Sequence, residues 1–202
     1  IAALETMGKT VVMLVSAKGV HALFAVADTI KESSRSAIAE LHALGINTMM
    51  LTGDNPHTAQ AIAAQAGIDR AQGNLLPDDK LREVELLAIK GKVGMVGDGI
   101  NDAPALARAD IGFAMGAAGT DTAIETADVA LMDDNLGKIP TFVRLSRATA
   151  QGLMQNIVLA LGIKAVFLVL TFTGQATMWM AVFADMGASL LVVGNGLRLL
   201  RK

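Results

Sequence analysis

Residues 95–110 read Met-Val-Gly-Asp-Gly-Ile-Asn-Asp-Ala-Pro-Ala-Leu-Ala-Arg-Ala-Asp, and this stretch decides the fold. The apolar run Val93 to Val96 predicts a buried core strand. Gly97 and Gly99 let the backbone turn tightly around Asp98, where a residue bearing a Cβ would be strained. Asp98 is thereby presented at a strand's carboxyl end, the edge at which open α/β sheets bind ligands. Asp102 follows one helical turn later, and two close carboxylates suit a hard cation. The plainer reading of the same residues is a glycine turn with Asp102 capping the next helix.

Outward from this turn the chain alternates strands and helices. Thr10 to Val15 and His21 to Val26 are β-rich runs joined at Ala17-Lys18-Gly19, which predicts a hairpin. Ser33 to Leu44 carries Ile38, Leu41 and Leu44 on one helical face and stops at Gly45, and a strand follows at Ile46 to Leu51. Asn55 and Pro56 suit an N-cap and first position of a helix that runs to Ala66 before Gly67. A further helix fits Asp78 to Ile89 with Leu81, Val84 and Leu87 inward, and short strands recur near Val93, Asp110 and Asp128. This alternation predicts a parallel, Rossmann-like α/β sheet with helices on both faces.

A second carboxylate turn, Thr52-Gly53-Asp54-Asn55, also follows an apolar strand, so two strand ends are expected to meet at one crevice. There the Thr52 hydroxyl can donate to a phosphoryl oxygen, and Lys80 can supply a positive charge. Taken singly, Lys80 reads as a solvated helix residue; its company reverses that reading. A Walker-type Gly-x-x-x-x-Gly-Lys-Ser/Thr cradle is absent from the sequence. The three motifs Thr52-Gly53-Asp54-Asn55, Pro77-Asp78-Asp79-Lys80 and Gly97-Asp98-Gly99-Ile100-Asn101-Asp102-Ala103-Pro104 resemble, in order, the phosphate-binding, charge-stabilising and magnesium-binding elements of the phosphorylation domain of P-type ATPases, a branch of the haloacid-dehalogenase-like superfamily. Gly116 to Asp121 and Glu125 to Met132 resemble the heavy-metal branch.

Composition divides the chain. Charged residues become rare beyond Arg147, and the formal net charge of −2 and the lack of basic runs with aromatics argue against nucleic acid as a partner. With no cysteine there is no disulfide and no thiolate metal site in these residues. Leu153 to Thr173 and Ala176 to Leu197 are each about twenty residues of apolar sequence, enough for a helix to cross roughly 30 Å of hydrocarbon. Lys138, Arg144 and Arg147 before the pair and Arg198, Arg201 and Lys202 after it place both outer ends in the cytoplasm. Each span carries one charge near its midpoint, Lys164 and Asp185, where a charge costs roughly 3 kcal/mol on insertion scales. They read either as a salt bridge locking the helices or as a cation ligand, Asp185, with Lys164 as its counter-ion. Asn156 faces an ion path or bonds across the helices. Met186 offers a soft sulfur but equally fills apolar space.

The resemblance implies a fold and a function. The fold is a haloacid-dehalogenase-type phosphorylation domain at residues 28–140, preceded at 1–27 by the end of a nucleotide-binding domain and followed at 141–202 by the last two transmembrane helices. The function is ATP-driven export of zinc, cadmium or lead through an aspartyl phosphate. Thr52, Gly53, Asp54, Lys80, Asp98, Asn101 and Asp102 form the catalytic set. Thr52, Gly53 and Lys80 hold the phosphate of ATP, Asp98 and Asp102 hold magnesium, and Asp185 with Lys164 binds the transported cation. A multi-pass location in a bacterial plasma membrane, with the soluble domain cytoplasmic, is expected. The acceptor motif Asp-Lys-Thr-Gly-Thr does not occur in this sequence. It is therefore expected upstream, in a missing N-terminal part of the same pump, and the chain alone is expected to be inactive. The alternatives are a membrane-anchored phosphohydrolase with Asp28 as nucleophile, although Ile30 stands where such enzymes carry a second aspartate, and a non-catalytic truncated form.

Overall fold

The computed structural model describes residue 4 and residues 9–26, 30–98, 100–116, 121–133 and 135–201. The chain divides into two compact units, Ile1–Pro140 and Thr141–Lys202. The first begins with an antiparallel hairpin of β1 (Thr10–Ser16) and β2 (Gly19–Val26). Successive strand residues point to opposite faces, and Val12, Met13, Leu14 and Val15 are all exposed, so neither face of the hairpin is covered.

The α/β part follows in the order α1 (Glu32–Ala43), β3 (Met49–Leu51), α2 (Pro56–Ala66), β4 (Arg70–Gln72), α3 (Pro77–Lys90), β5 (Gly94–Gly97), α4 (Ala103–Arg108), β6 (Ile111–Met115), α5 (Asp121–Thr126) and β7 (Val129–Leu131). The strands are parallel, as the alternation predicts, but they form two strips among the described residues: β3 beside β4, and β5-β6-β7. The middle strand β6 is buried on both faces, as parallel strands are. Ala114 packs with Leu106 of α4, while Phe113 packs with Leu131 and Ile139. By contrast β5 departs from the expected core strand, because Val96 is 36% exposed. The reason is its position: β5 ends its strip, so one edge has no neighbour among the described residues.

Local chemistry sets the element ends. The Thr58 N–H donates to the Asn55 side chain at 2.9 Å, Pro56 opens α2, and Gly67 closes it in the left-handed region at φ 80°. The strand expected from Ile46 starts only at Met49, because the chain before it is bonded elsewhere. The Ile46 N–H caps α1 by donating to the Leu41 carbonyl at 3.0 Å, and the Thr48 N–H donates to Asp69 at 2.7 Å. Of the three apolar residues expected inside α3, Val84 is buried and Leu81 and Leu87 are half-buried.

The second unit is a hairpin of two helices, α6 (Lys138–Phe172) and α7 (Met178–Leu197). Their best 18-residue windows have mean hydropathies of 2.1 and 1.5, and both are long and apolar enough to cross a bilayer. The helix α6 starts fifteen residues before the expected Leu153. Its sole proline, Pro140, sits in the first turn, where the missing N–H costs nothing, and no glycine interrupts it before Gly152. Gly174, at φ 74°, ends α6 as the Gln175 N–H donates to the Leu170 carbonyl. The Thr177 hydroxyl then accepts from Met180 N–H, so α7 starts two residues after the expected Ala176.

Two outcomes follow for the first unit. Leu106 is 1% exposed, so Leu106→Ala is expected to cost about 2–5 kcal/mol in chemical denaturation. Asp69, held down chiefly by the Thr48 N–H and hydroxyl, and Asp110, held down chiefly by the Lys92 ammonium and then by the Val93 N–H, both lie below the ordinary carboxylate value. A lowered native value contributes stability that is complete above the ordinary value of roughly 3.9 and is lost as pH falls through the native one. In a denaturation series against pH, Asp69→Asn with Asp110→Asn is expected to flatten the fall in stability below about pH 4.

Candidate functional site

Two loops at strand carboxyl ends carry the candidate residues. At the end of β5, Gly97 is buried and Asp98 is exposed, with no hydrogen bond or ion pair among the described residues. Asp102 ends a single 3-10 turn, Ile100–Asp102, which also contains the exposed Asn101. Asp102 occupies the N-cap position of α4, yet its side chain makes no capping bond. The carboxylate turns instead to Lys80, whose Nζ donates to Oδ1 at 2.8 Å. The two side chains are 15% and 12% exposed. This decides between the two readings of Asp102: the helix cap is forgone and the carboxylate is committed to a lysine twenty-two residues away.

Lys80 reaches that position because α3 starts sharply. Pro77 occupies its first position, and the Asp79 carboxylate accepts the Leu76 N–H at 3.1 Å, fixing the turn from which Lys80 projects. Gly97 makes the approach possible. A Cβ there would lie 2.6 Å from the Asp102 Cβ and 3.1 Å from its Oδ2, so any larger residue displaces the carboxylate.

The second loop is self-bonded. The Thr52 hydroxyl donates to Asp54 Oδ2 at 2.9 Å and accepts the Asp54 N–H at 3.1 Å. The backbone is strapped to the segment after β4: the Leu75 N–H donates to the Thr52 carbonyl at 3.1 Å and the Asn74 N–H to the Asp54 carbonyl at 2.6 Å. Gly73 allows this, since a Cβ there would meet the Asp54 carbonyl oxygen at 2.5 Å and the Pro56 nitrogen at 2.7 Å. Gly73 and Asn74, the latter at φ 56°, are supporting residues that the motif reading missed. Their signal was the Gly-Asn pair directly after a short strand, a turn signature.

The geometry thus makes two pairs, Thr52 with Asp54 and Lys80 with Asp102, and no hydrogen bond joins one pair to the other among the described residues. Gly53 sits between the members of the first pair. The donor set at the β5 loop fits magnesium, which takes one or two carboxylates and completes its shell with phosphate and water. Asp98 has no partner among the described residues, and Asp102 retains an oxygen that Lys80 does not engage. Asp28, Gly99 and residues 117–120 of the glycine-rich run lie outside the described residues.

In the helical unit Lys164 Nζ lies 3.6 Å from Asp185 Oδ1, and the side chains are 66% and 69% exposed. That distance is an ion pair without a good hydrogen bond. Asn156 bonds across the helices: Asn195 Nδ2 donates to its Oδ1 at 2.9 Å. Met186 is exposed.

Known proteins match the chain closely. A profile of haloacid dehalogenase-like hydrolases matches residues 1–110. A probable cadmium-transporting ATPase of Listeria monocytogenes is 54% identical over 200 residues, which cover 98% of this chain and 28% of that protein. A zinc/cadmium/lead-transporting P-type ATPase of Escherichia coli strain K12 is 48% identical over 199 residues, covering 98% of this chain and 27% of that protein. The crystal structure of a zinc-transporting PIB-type ATPase in its E2.Pi state matches with a TM-score of 0.88 at 47% identity, over 98% of this chain and 33% of that one. The chain therefore spans little more than a quarter of the length of these relatives. With such relatives and two helices of spanning length, it is a membrane protein with a soluble unit before its spans. The motif resemblance is borne out: the chain belongs to the haloacid dehalogenase-like hydrolase family and is similar, along 98% of its length, to heavy-metal-transporting P-type ATPases.

Proposed function

We propose that the chain is part of an ATP-driven exporter of zinc, cadmium or lead, contributing most of the phosphate-handling domain and two membrane helices. The observation that carries this reading is the Lys164–Asp185 pair, 3.6 Å apart and joining two spans. A charge inside a bilayer is costly, and a loosely held carboxylate there is a candidate cation ligand. On this reading residues 1–27 end a nucleotide-binding domain, 28–140 form the phosphorylation domain and 141–202 the last two transmembrane helices, with the soluble part cytoplasmic.

The acceptor aspartate is supplied from outside these residues. The edges of β3 and β5 that are unpaired among the described residues support this, since each strand ends its strip and each carries a candidate loop at its carboxyl end. A parallel strand laid between them would join the strips and present its own carboxyl end between Asp54 and Asp98. A carboxylate there attacks the γ-phosphorus of ATP, a phosphorus–oxygen bond forms, the bond to the bridging oxygen breaks, and ADP leaves with the electron pair. Water then attacks the same phosphorus, the aspartate leaves, and the phosphate carries the water's protons.

This chain's residues hold charge through both steps. Lys80 has three donors and spends one on Asp102, leaving two for phosphoryl oxygens. The Thr52 hydroxyl gives up Asp54 Oδ2 to donate to the same group. Asp98 and Asp102 would hold magnesium, which would supply positive charge to neutralise the transferring group. Phosphorylation shifts the helices between inward-open and outward-open states, and Lys164 competes with the cargo for Asp185.

In the complete transporter, assayed in inverted membrane vesicles, Asp98→Asn is expected to lower metal-stimulated ATP hydrolysis by about a hundredfold or more. Asp185→Ala is expected to abolish export of zinc, cadmium and lead alike; export at the unaltered rate removes Asp185 from the transport site.

A further inference from the structure

Asn195 of α7 is the centre of a polar network near the end of the helical hairpin. Its Nδ2 donates to Asn156 Oδ1 at 2.9 Å and to Gln155 Oε1 at 3.3 Å, both on α6, and its Oδ1 accepts from Arg198 Nη1 at 3.1 Å. A guanidinium has no acceptor, so the atom facing Arg198 is the amide oxygen, and the amide nitrogen is thereby aimed at Asn156. Asn156 and Asn195 are both half-buried, on the same helical stripe as Ala160 and Ile163 of α6 and as Ala188 and Val192 of α7. Lys164 and Asp185 are exposed and lie off that stripe.

Helical geometry links the two levels. Lys164 lies eight residues beyond Asn156, a rise of roughly 12 Å with a turn of about 80°. Asp185 lies ten residues before Asn195, a rise of roughly 15 Å with a turn of about 80° in the opposite sense. Across an antiparallel pair, opposite turns bring both charges to the same flank. A slip of one residue rotates a side chain by about 100° and carries one charge away from the other. The register that pairs Lys164 with Asp185 is therefore set where Asn195 meets Asn156.

We infer that Asn195 and Asn156 are positioning residues for the cation site, an amide rung that locks the register of α6 against α7 and holds Lys164 and Asp185 on one open flank, without ligating the metal. The inference rests on the proposed role of Asp185. Asn195 is unsuited to ligation: both of its amide protons are directed at α6, and a guanidinium occupies its oxygen. A hydrogen bond between side-chain amides of neighbouring membrane helices contributes about 1 kcal/mol and adds no charge.

The test uses the complete transporter in proteoliposomes, reading zinc-stimulated ATP hydrolysis and zinc bound at equilibrium. Asn195→Leu is expected to raise the zinc concentration for half-maximal activity about threefold to tenfold, the worth of one interhelical hydrogen bond, with the maximal rate and the bound zinc at saturation unchanged. Asn156→Leu should match it, and the double variant should be no worse than either single one. Asn156→Gln, which keeps an uncharged amide acceptor for Asn195 Nδ2, should stay closer to the unaltered protein than Asn156→Leu. If Asn195→Leu does not fold, Asn195→Ser carries the same expected shift. Loss of bound zinc at saturation in either asparagine variant would make these residues ligands and overturn the inference, as would an unaltered zinc requirement in both leucine variants. Zinc binding and export that survive Asp185→Ala instead sink the transport-site reading, whatever the asparagine variants do.

Discussion

The ion pair between Lys80 and Asp102 is the constraint from which the soluble site is built. Two charges that are each about seven-eighths buried have lost most of their hydration, and desolvation costs several kcal/mol per ion before attraction offsets it. Such a pair is a poor way to hold α3 against α4, since apolar side chains of similar volume do so as well or better. Breaking it by removing one partner is nevertheless expensive, because the other charge stays buried. The surroundings are arranged to keep it: Gly97 has no side chain to push Asp102 away, Asp102 forgoes its capping bond, and Pro77 with Asp79 fixes the turn that carries Lys80. An arrangement that costs stability and is still fully supported fits the proposal that both charges meet a phosphoryl group.

The same unit leaves apolar surface and strand edges uncovered. Both faces of the β1–β2 hairpin are bare, and an isolated two-stranded hairpin is marginal in water. The strands β3 and β5 end their strips, and Val96 of β5 is partly exposed although it reads as a core residue. Unpaired parallel edges invite a further strand. These features agree with the proposal that further strands of a longer protein pack here, one of them bringing the acceptor carboxylate.

Most of the architecture was legible in the sequence because its signals are local. Asn55-Pro56 with Gly67 bounds a helix through capping chemistry alone, and the apolar tail announces its spans by length. What was not legible depends on partners remote in sequence. The strand before Met49 is shortened by Asp69, and nothing at Ile46 to Thr48 foretells that their N–H groups are spent on Asp69 and on α1. The exposure of Val96 follows from strand order, which residue pattern does not encode. The company of Thr52, Asp98 and Asp102 drew Lys80 toward the site, but spacing alone could not say that its partner is Asp102, nor decide whether Asp102 caps a helix or holds a cation. Asn156 was ambiguous for the same reason, since its partner lies thirty-nine residues away.

The two lysine–aspartate pairs of this chain are physically opposite, and the difference bears on what each can do. Lys80 and Asp102 touch at 2.8 Å within hydrogen-bond range, in a setting where neither charge has another partner among the described residues, so a directional charge-assisted bond holds them together. Lys164 and Asp185 stand at 3.6 Å with two-thirds of each side chain open, so attraction survives but no directional bond must break before a third group enters. A fixed pair suits a site that must present the same charges to every phosphoryl group. A loose pair fits the proposal of a site that exchanges one cation for another, in which the lysine ammonium would give way to a divalent metal and return when it departs. That exchange works only if the helices stay in register while the pair is apart. Register then has to be held by something other than the charges themselves, and the amide rung of Asn156 and Asn195 is uncharged and lies roughly two to three helical turns away from them.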